Sequence, residues 1–149
     1  MEKQAMNKQP ARIFILDDDS RRHNWFTRHL SDSHVDIASD VSQARKLLST
    51  NSYDAIFLDH DLLPEHYRSE EYDDESTVYA IASWLSANPT LQQTSNITIH
   101  TRNADAALRM VEELRDSGRL AAYVPFPLLT NRIKQLVSHL NSLDVPLST

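Results

Sequence analysis

Five short apolar runs alternate with five stretches of helical periodicity, and this alternation limits the chain more than any other feature. The runs are Ala11–Leu16 (ARIFIL), Val35–Ala38, Ala55–Leu58, Ile97–His100 and Leu120–Val124. Most are continuously apolar rather than alternating. A strand of that kind is buried on both faces, as in a parallel sheet covered by helices on either side.

The intervening stretches carry helix signals. Ser20–Leu30 places Trp25, Phe26 and Leu30 on one stripe. Asp40 precedes VSQARKLL, with Gln43 three residues on, a capping box that predicts a helix burying Val41, Ala44, Leu47 and Leu48. Thr77–Ala87 is helical and stops at Asn88-Pro89. Ala104–Ser117 turns Leu108, Val111 and Leu114 inward and is closed by Gly118. Thr130 caps a last helix that buries Ile133, Leu136, Val137 and Leu140. Right-handed crossovers then favour a flavodoxin-like, doubly wound α/β fold. Its parallel sheet has five strands in the order 2-1-3-4-5, covered by five helices. Residues 11–140 form the single domain, with loose tails at 1–10 and 141–149.

Composition removes several function classes. The 149 residues suffice for one core. There is no cysteine, which excludes disulfides, thiolate metal sites and thiol nucleophiles. The single glycine, Gly118, excludes glycine-rich phosphate loops. A formal charge of −6 argues against a grip on extended duplex nucleic acid. The polar start MEKQAMNKQP lacks the apolar region of a signal peptide, and no apolar run is long enough for a bilayer, so no membrane association and a cytoplasmic location are expected.

In an open α/β sheet, ligands bind beyond the carboxyl ends of the strands, at the point where strand order reverses. Those ends read Asp17-Asp18-Asp19 after the first strand, Asp59-His60-Asp61 after the third and His100-Thr101-Arg102-Asn103 after the fourth. Carboxylates brought that close repel unless a cation compensates them, and oxygen ligands suit Mg²⁺ or Mn²⁺. Each residue also has a plainer reading. Asp19 is better placed to cap the first helix than to bind a ligand. His60 could be a loop histidine and His100 a satisfied one at a strand end, while His23, His29, His34, His66 and His139 read as surface residues. Residues 64–75 form a long acidic connection whose Tyr67 and Tyr72 could cover the pocket, although a solvated loop is the simpler reading.

IFILDDDSRR, YDAIFLDHDLL, NITIHTRN and AYVPFP fall in the order and spacing of two-component receiver domains. The resemblance spans roughly Arg12 to Leu140. It implies that Asp17 and Asp18 are the acidic pair, Asp59 the phosphoryl acceptor and Thr101 the switch hydroxyl. The lysine that receivers carry before the proline after the fifth strand is missing; the place reads Phe126-Pro127. LDHDL at Leu58–Leu62, together with HTRN at His100–Asn103, resembles a divergent branch, the cyclic-phosphate-processing receiver domains.

That resemblance implies processing of a cyclic phosphate or phosphodiester of a nucleotide or RNA end. Asp17, Asp18, Asp59 and Asp61 are then the candidate metal ligands. His60 and His100, with Asp59, are the catalytic candidates, since imidazole titrates near neutrality. Thr101, Arg102 and Asn103 are the candidate substrate contacts, with Arg22 or its neighbour Arg21 as a further one, arginine being suited to clamping phosphate oxygens. The expected ligand is a small phosphate compound, a nucleotide or cyclic nucleotide, with a protein partner left open. The competing reading is a degenerate receiver that binds a protein or a cyclic nucleotide without catalysis.

Overall fold

The computed structural model describes residues 10–59, 79–100 and 104–143, the last three without their side chains. Five strands form one parallel sheet: β1 Arg12–Leu16, β2 His34–Ala38, β3 Ala55–Leu58, β4 Asn96–Ile99 and β5 Leu120–Tyr123. Their order is β2-β1-β3-β4-β5, as the alternation of elements predicts. Five α-helices lie between and after them: α1 Ser20–His29, α2 Val41–Thr50, α3 Tyr79–Ala87, α4 Ala104–Asp116 and α5 Leu129–Leu143. The fold is flavodoxin-like and doubly wound.

The sheet separates two apolar cores because successive strand residues point to opposite faces. Phe14, Leu16, Ile56, Leu58, Ile97 and Ile99 face one side and meet α2, α3 and α4 through Leu48, Leu85 and Met110. Ile13, Ile15, Ala55 and Phe57 face the other and meet Phe26 and Leu30 at α1, and Leu129, Ile133 and Leu136 of α5. Every residue of β3 is buried, as a central strand of a doubly covered sheet requires.

Local signals set the helix ends. Asp19 caps α1 by accepting the Arg21 N–H at 2.8 Å. Asp40 caps α2 by accepting the Gln43 N–H at 2.8 Å, and the Gln43 side chain reaches back to the Ser39 N–H at 2.9 Å. Gly118 takes φ +91 after α4, a backbone state that a side chain disfavours.

Two details differ from the sequence reading. Leu108 is 55% exposed, because α4 buries Ala106, Ala107, Met110, Val111 and Leu114 instead. That stripe leaves Leu108 on the outer face. Thr130 is not a cap: a 3-10 turn at Phe126–Leu128 leads directly into α5, which already begins at Leu129. Among the described residues, no helix is long and apolar enough to cross a membrane.

Candidate active site

Register brings the strand ends together. Leu16 pairs with Leu58, and Leu58 with Ile99. The ladder continues one step further: the Asp59 N–H donates to the Leu16 carbonyl at 3.0 Å and the His100 N–H to the Leu58 carbonyl at 2.8 Å. Leu16, Leu58 and Ile99 all face the α2–α4 core. The next residues, Asp17, Asp59 and His100, therefore turn to the opposite face, where α1 lies. All three are buried, and each offers a ligand atom within 4.8 Å of the others'.

Arg22 of α1 binds both carboxylates. Its Nε donates to Asp17 Oδ2 at 2.7 Å, and its Nη2 donates to Asp17 Oδ1 at 3.1 Å and to Asp59 Oδ2 at 2.8 Å. The bidentate fork on Asp17 is a strong arrangement for a guanidinium. Arg22 lies one helical turn before Phe26, on the face that packs against the sheet, whereas Arg21 points to solvent. The Phe126 ring covers the guanidinium, 5.7 Å from Cζ to the ring centre.

His100 Nε2 lies 3.0 Å from Asp17 Oδ2. An ionised carboxylate only accepts, so Nε2 carries the proton and Nδ1 presents a lone pair. That Nδ1 is buried and has no hydrogen-bond partner among the described residues. The ring sits among Phe26, Phe57 and Phe126, with centroids at 5.4, 6.4 and 6.4 Å. Burial in this apolar cage pushes the His100 pKa below its ordinary value, against the pull of Asp17, and favours the neutral imidazole.

Burial would raise the Asp17 pKa, but hydrogen bonds from His100 and Arg22 outweigh it and hold the carboxyl below its usual range. The Asp19 N–H adds a further bond to Asp17 Oδ1 at 2.9 Å. Asp18 is half-buried and stands outside the trio. Its own burial, then the charge of Asp17, raises its pKa. For Arg22, burial opposes the charge, yet the hydrogen bond and charge of Asp17 and the charge of Asp59 raise its pKa.

Two carboxylates and an imidazole are a donor set that suits a hard or borderline divalent cation. The fit has a condition: both Asp17 oxygens are already engaged, so a cation shared by Asp17 and Asp59 must displace the Arg22 guanidinium.

The structure thus joins Asp17, Asp59, His100 and Arg22 from the sequence-derived candidates. His60, Asp61, Thr101, Arg102 and Asn103 lie outside the described residues, as do the acidic connection at 64–75 and its tyrosines. His23, expected at the surface, is half-buried, and its imidazole Nε2 contacts the Asp17 carbonyl. Phe126 was legible only as a missing lysine. Its cover over Arg22 and His100 depends on how the 3-10 turn delivers it.

Among solved structures, the fold is similar to the signal receiver domain of a protein from Vibrio parahaemolyticus, at 14% identity and a TM-score of 0.64, covering 91% of this chain and 92% of that one. It is similar to a receiver domain protein from Methanospirillum hungatei, at 14% identity and a TM-score of 0.64, covering 91% and 97%. A two-component response regulator from Clostridium difficile aligns at 20% identity and a TM-score of 0.60, covering 88% and 98%. These identities establish the fold alone. A search among curated proteins returns no match. The family model of the cyclic-phosphate processing receiver domain matches residues 12–116, which contain Asp17, Arg22, Asp59 and His100. With those four residues joined at the carboxyl ends of β1, β3 and β4, and the match running over most of the chain, the protein belongs to the cyclic-phosphate processing receiver domain family.

Proposed function

We propose that the chain hydrolyses a cyclic phosphate or phosphodiester of a nucleotide or RNA end, with a divalent cation, Mg²⁺ or Mn²⁺, at the Asp17–Asp59 rim. The observation that carries this reading is the buried Asp17–Arg22–Asp59–His100 constellation, in a chain whose family model is named for cyclic-phosphate processing. Asp17 and Asp59 would hold the cation, with Asp18 and Asp61 as further oxygen ligands. When bound, a divalent cation supplies charge neutralisation and a lowered pKa for water.

The chain's own residues supply the rest. Arg22, released from one or both carboxylates, presents a planar fork to phosphate oxygens. Phe126 limits the directions in which it can swing. His100 offers Nδ1 as a proton acceptor, and Asp17 fixes the tautomer that makes it one. His60 serves as the second acid–base group. Thr101, Arg102 and Asn103 orient the substrate. Phe126 in the place of the receiver lysine supports a reaction other than stable phosphorylation of Asp59.

The same feature favours a second reading. With Arg22 already bonded to both acids, the chain would be a degenerate receiver that binds a protein or a cyclic nucleotide without cleavage. One experiment separates the two. The protein is incubated with 2′,3′-cyclic nucleotides and cyclic dinucleotides, with Mg²⁺, Mn²⁺ or EDTA, and products are resolved by chromatography. Metal-dependent product that disappears in His100→Ala is expected. Nucleotide-induced thermal stabilisation without product would favour the binder.

A further inference from the structure

A second charged cluster lies at the other end of the sheet. A cavity of about 400 Å³ opens beside the amino-terminal ends of β4 and β5, lined by Asn96, by β5 from Leu120 to Ala122, and by Arg115, Arg119 and Arg132. Strand β5 is an edge strand, bonded only to β4. The three arginines come from three places, the last turn of α4, the turn after Gly118 and the start of α5. In a chain of net charge −6, such convergence of cations requires a reason.

Carboxylates do not provide it. Among the described residues, none of the three forms an ion pair with an acid. Their partners are neutral. Arg115 Nε donates to the Ala121 carbonyl at 2.8 Å. Arg132 donates from Nε to Thr98 Oγ1 at 3.2 Å and from Nη2 to Asn96 Oδ1 at 3.1 Å. Arg119 donates to Ser117 Oγ at 2.7 Å and, through Nη2, to the Asn88 and Leu91 carbonyls at 3.0 and 2.6 Å.

Arg119 has a structural task, since those carbonyls follow the end of α3. The task does not use the whole group. Arg119 is only 4% exposed, and its buried Nε has no hydrogen-bond partner among the described residues. A buried cation with an unmade bond and no counter-charge is costly. Burial alone lowers the pKa of Arg119 and of Arg132, whereas Arg22, held by two carboxylates, shifts upward. An anion in the cavity would supply the missing counter-charge.

We infer that this cavity binds a small oligophosphate, with Arg115 and Arg132 flanking edge strand β5 and Arg119 at the cavity wall. Planar guanidinium forks match tetrahedral phosphoryl oxygens, and the volume exceeds what one inorganic phosphate fills. The site stands at the opposite end of the strands from Asp17 and Asp59, and it is independent of the hydrolytic reading.

The test is calorimetric titration with pyrophosphate, ADP and inorganic phosphate at physiological salt, alongside amide chemical shifts. Single-site pyrophosphate binding, with shifts at Leu120–Ala122, is expected. ADP tighter than pyrophosphate would identify a nucleotide as the source of the phosphates; equal affinity would identify a bare polyphosphate. Arg115→Gln and Arg132→Gln should each weaken binding about tenfold or more, while Arg22→Gln leaves these shifts in place. Arg119 is kept intact because it braces the turn after α3. Both variants are checked for an unchanged unfolding transition. No pyrophosphate binding at millimolar concentration, shifts confined to Asp17, Asp59 and His100, or affinity unaffected by both substitutions would overturn the inference. So would binding of a poly-glutamate peptide without pyrophosphate, which would make the groove a protein-docking face.

Discussion

Phe126 lies over the guanidinium of Arg22, 5.7 Å from ring centre to Cζ, in the 3-10 turn that leads into α5. The same ring packs on Trp25 at 4.9 Å and near His100 at 6.4 Å. One half-exposed aromatic residue therefore sets the position of both the cation and the imidazole of the candidate site. Phe126→Ala should cost about 2 kcal/mol, below the range for a fully buried phenylalanine. It should also speed solvent exchange of the His100 ring proton. Chemical unfolding and imidazole NMR check the two effects, and a fully stable variant with an unchanged His100 signal would contradict them.

A divalent cation at Asp17 and Asp59 would compete with Arg22 for the same carboxylates. Removing the guanidinium leaves Asp17 and Asp59 buried side by side, so Arg22→Met without metal should lose about 3 kcal/mol. Mn²⁺ should restore much of that loss and stabilise the variant more than the wild type, as ligand linkage requires. Urea unfolding with Mn²⁺ and with EDTA measures both. Equal metal stabilisation of the two proteins would show that the guanidinium does not occupy the cation position.

Acid should destabilise the metal-free protein in two stages. The pKa of His100 falls on folding, so the unfolded chain binds the extra proton first. Stability is complete above the unfolded value, near 6.5, and declines as the pH falls below it, by at most about 1.4 kcal/mol per pH unit. Asp17 is also depressed on folding. Its contribution is present above 3.8 and disappears as the pH falls through the lower folded value. His100→Asn should flatten the first stage and shrink the second, because His100 helps to hold Asp17 low. Unfolding free energies from pH 7 to pH 3, in EDTA, report the outcome.

Gln92 ties the loop before β4 to the core. Its Nε2 donates to the Leu48 and Asn51 carbonyls at 2.9 and 2.6 Å, and its Oε1 accepts from the Tyr53 N–H and Ser95 Oγ at 3.0 Å each. It does so at φ 54, a state ordinarily left to glycine or asparagine. Gln92→Ala leaves several interior groups unpaired and should cost about 3 kcal/mol. Gln92→Gly should be no better, although it relieves the backbone. A clear gain for glycine over alanine would mean that strain, rather than the lost bonds, dominates.

Much of this molecule can be read from its residues. Continuous apolar runs specify a doubly covered sheet, Asp40 and Gln43 specify the start of α2, and Gly118 specifies the end of α4. Asp17, Asp59 and His100 are legible because a parallel register carries residues just past adjacent strand ends to one rim. Arg22 is legible only as one of two neighbouring arginines, until helix phase selects it. Leu108 misleads because Ala106, Ala107 and Met110, rather than Leu108, join Val111 and Leu114 in the buried stripe of α4. The bonds of Gln92 and the meeting of Arg115, Arg119 and Arg132 depend on side-chain reach between distant segments, for which no local pattern exists.

The bond between Asp17 and His100 joins residues 83 positions apart. During synthesis, the first carboxylate therefore waits for more than half of the chain before its imidazole partner exists. No early fragment can bring Asp17, Asp59 and His100 together, and the trio closes only once β4 has docked beside β3.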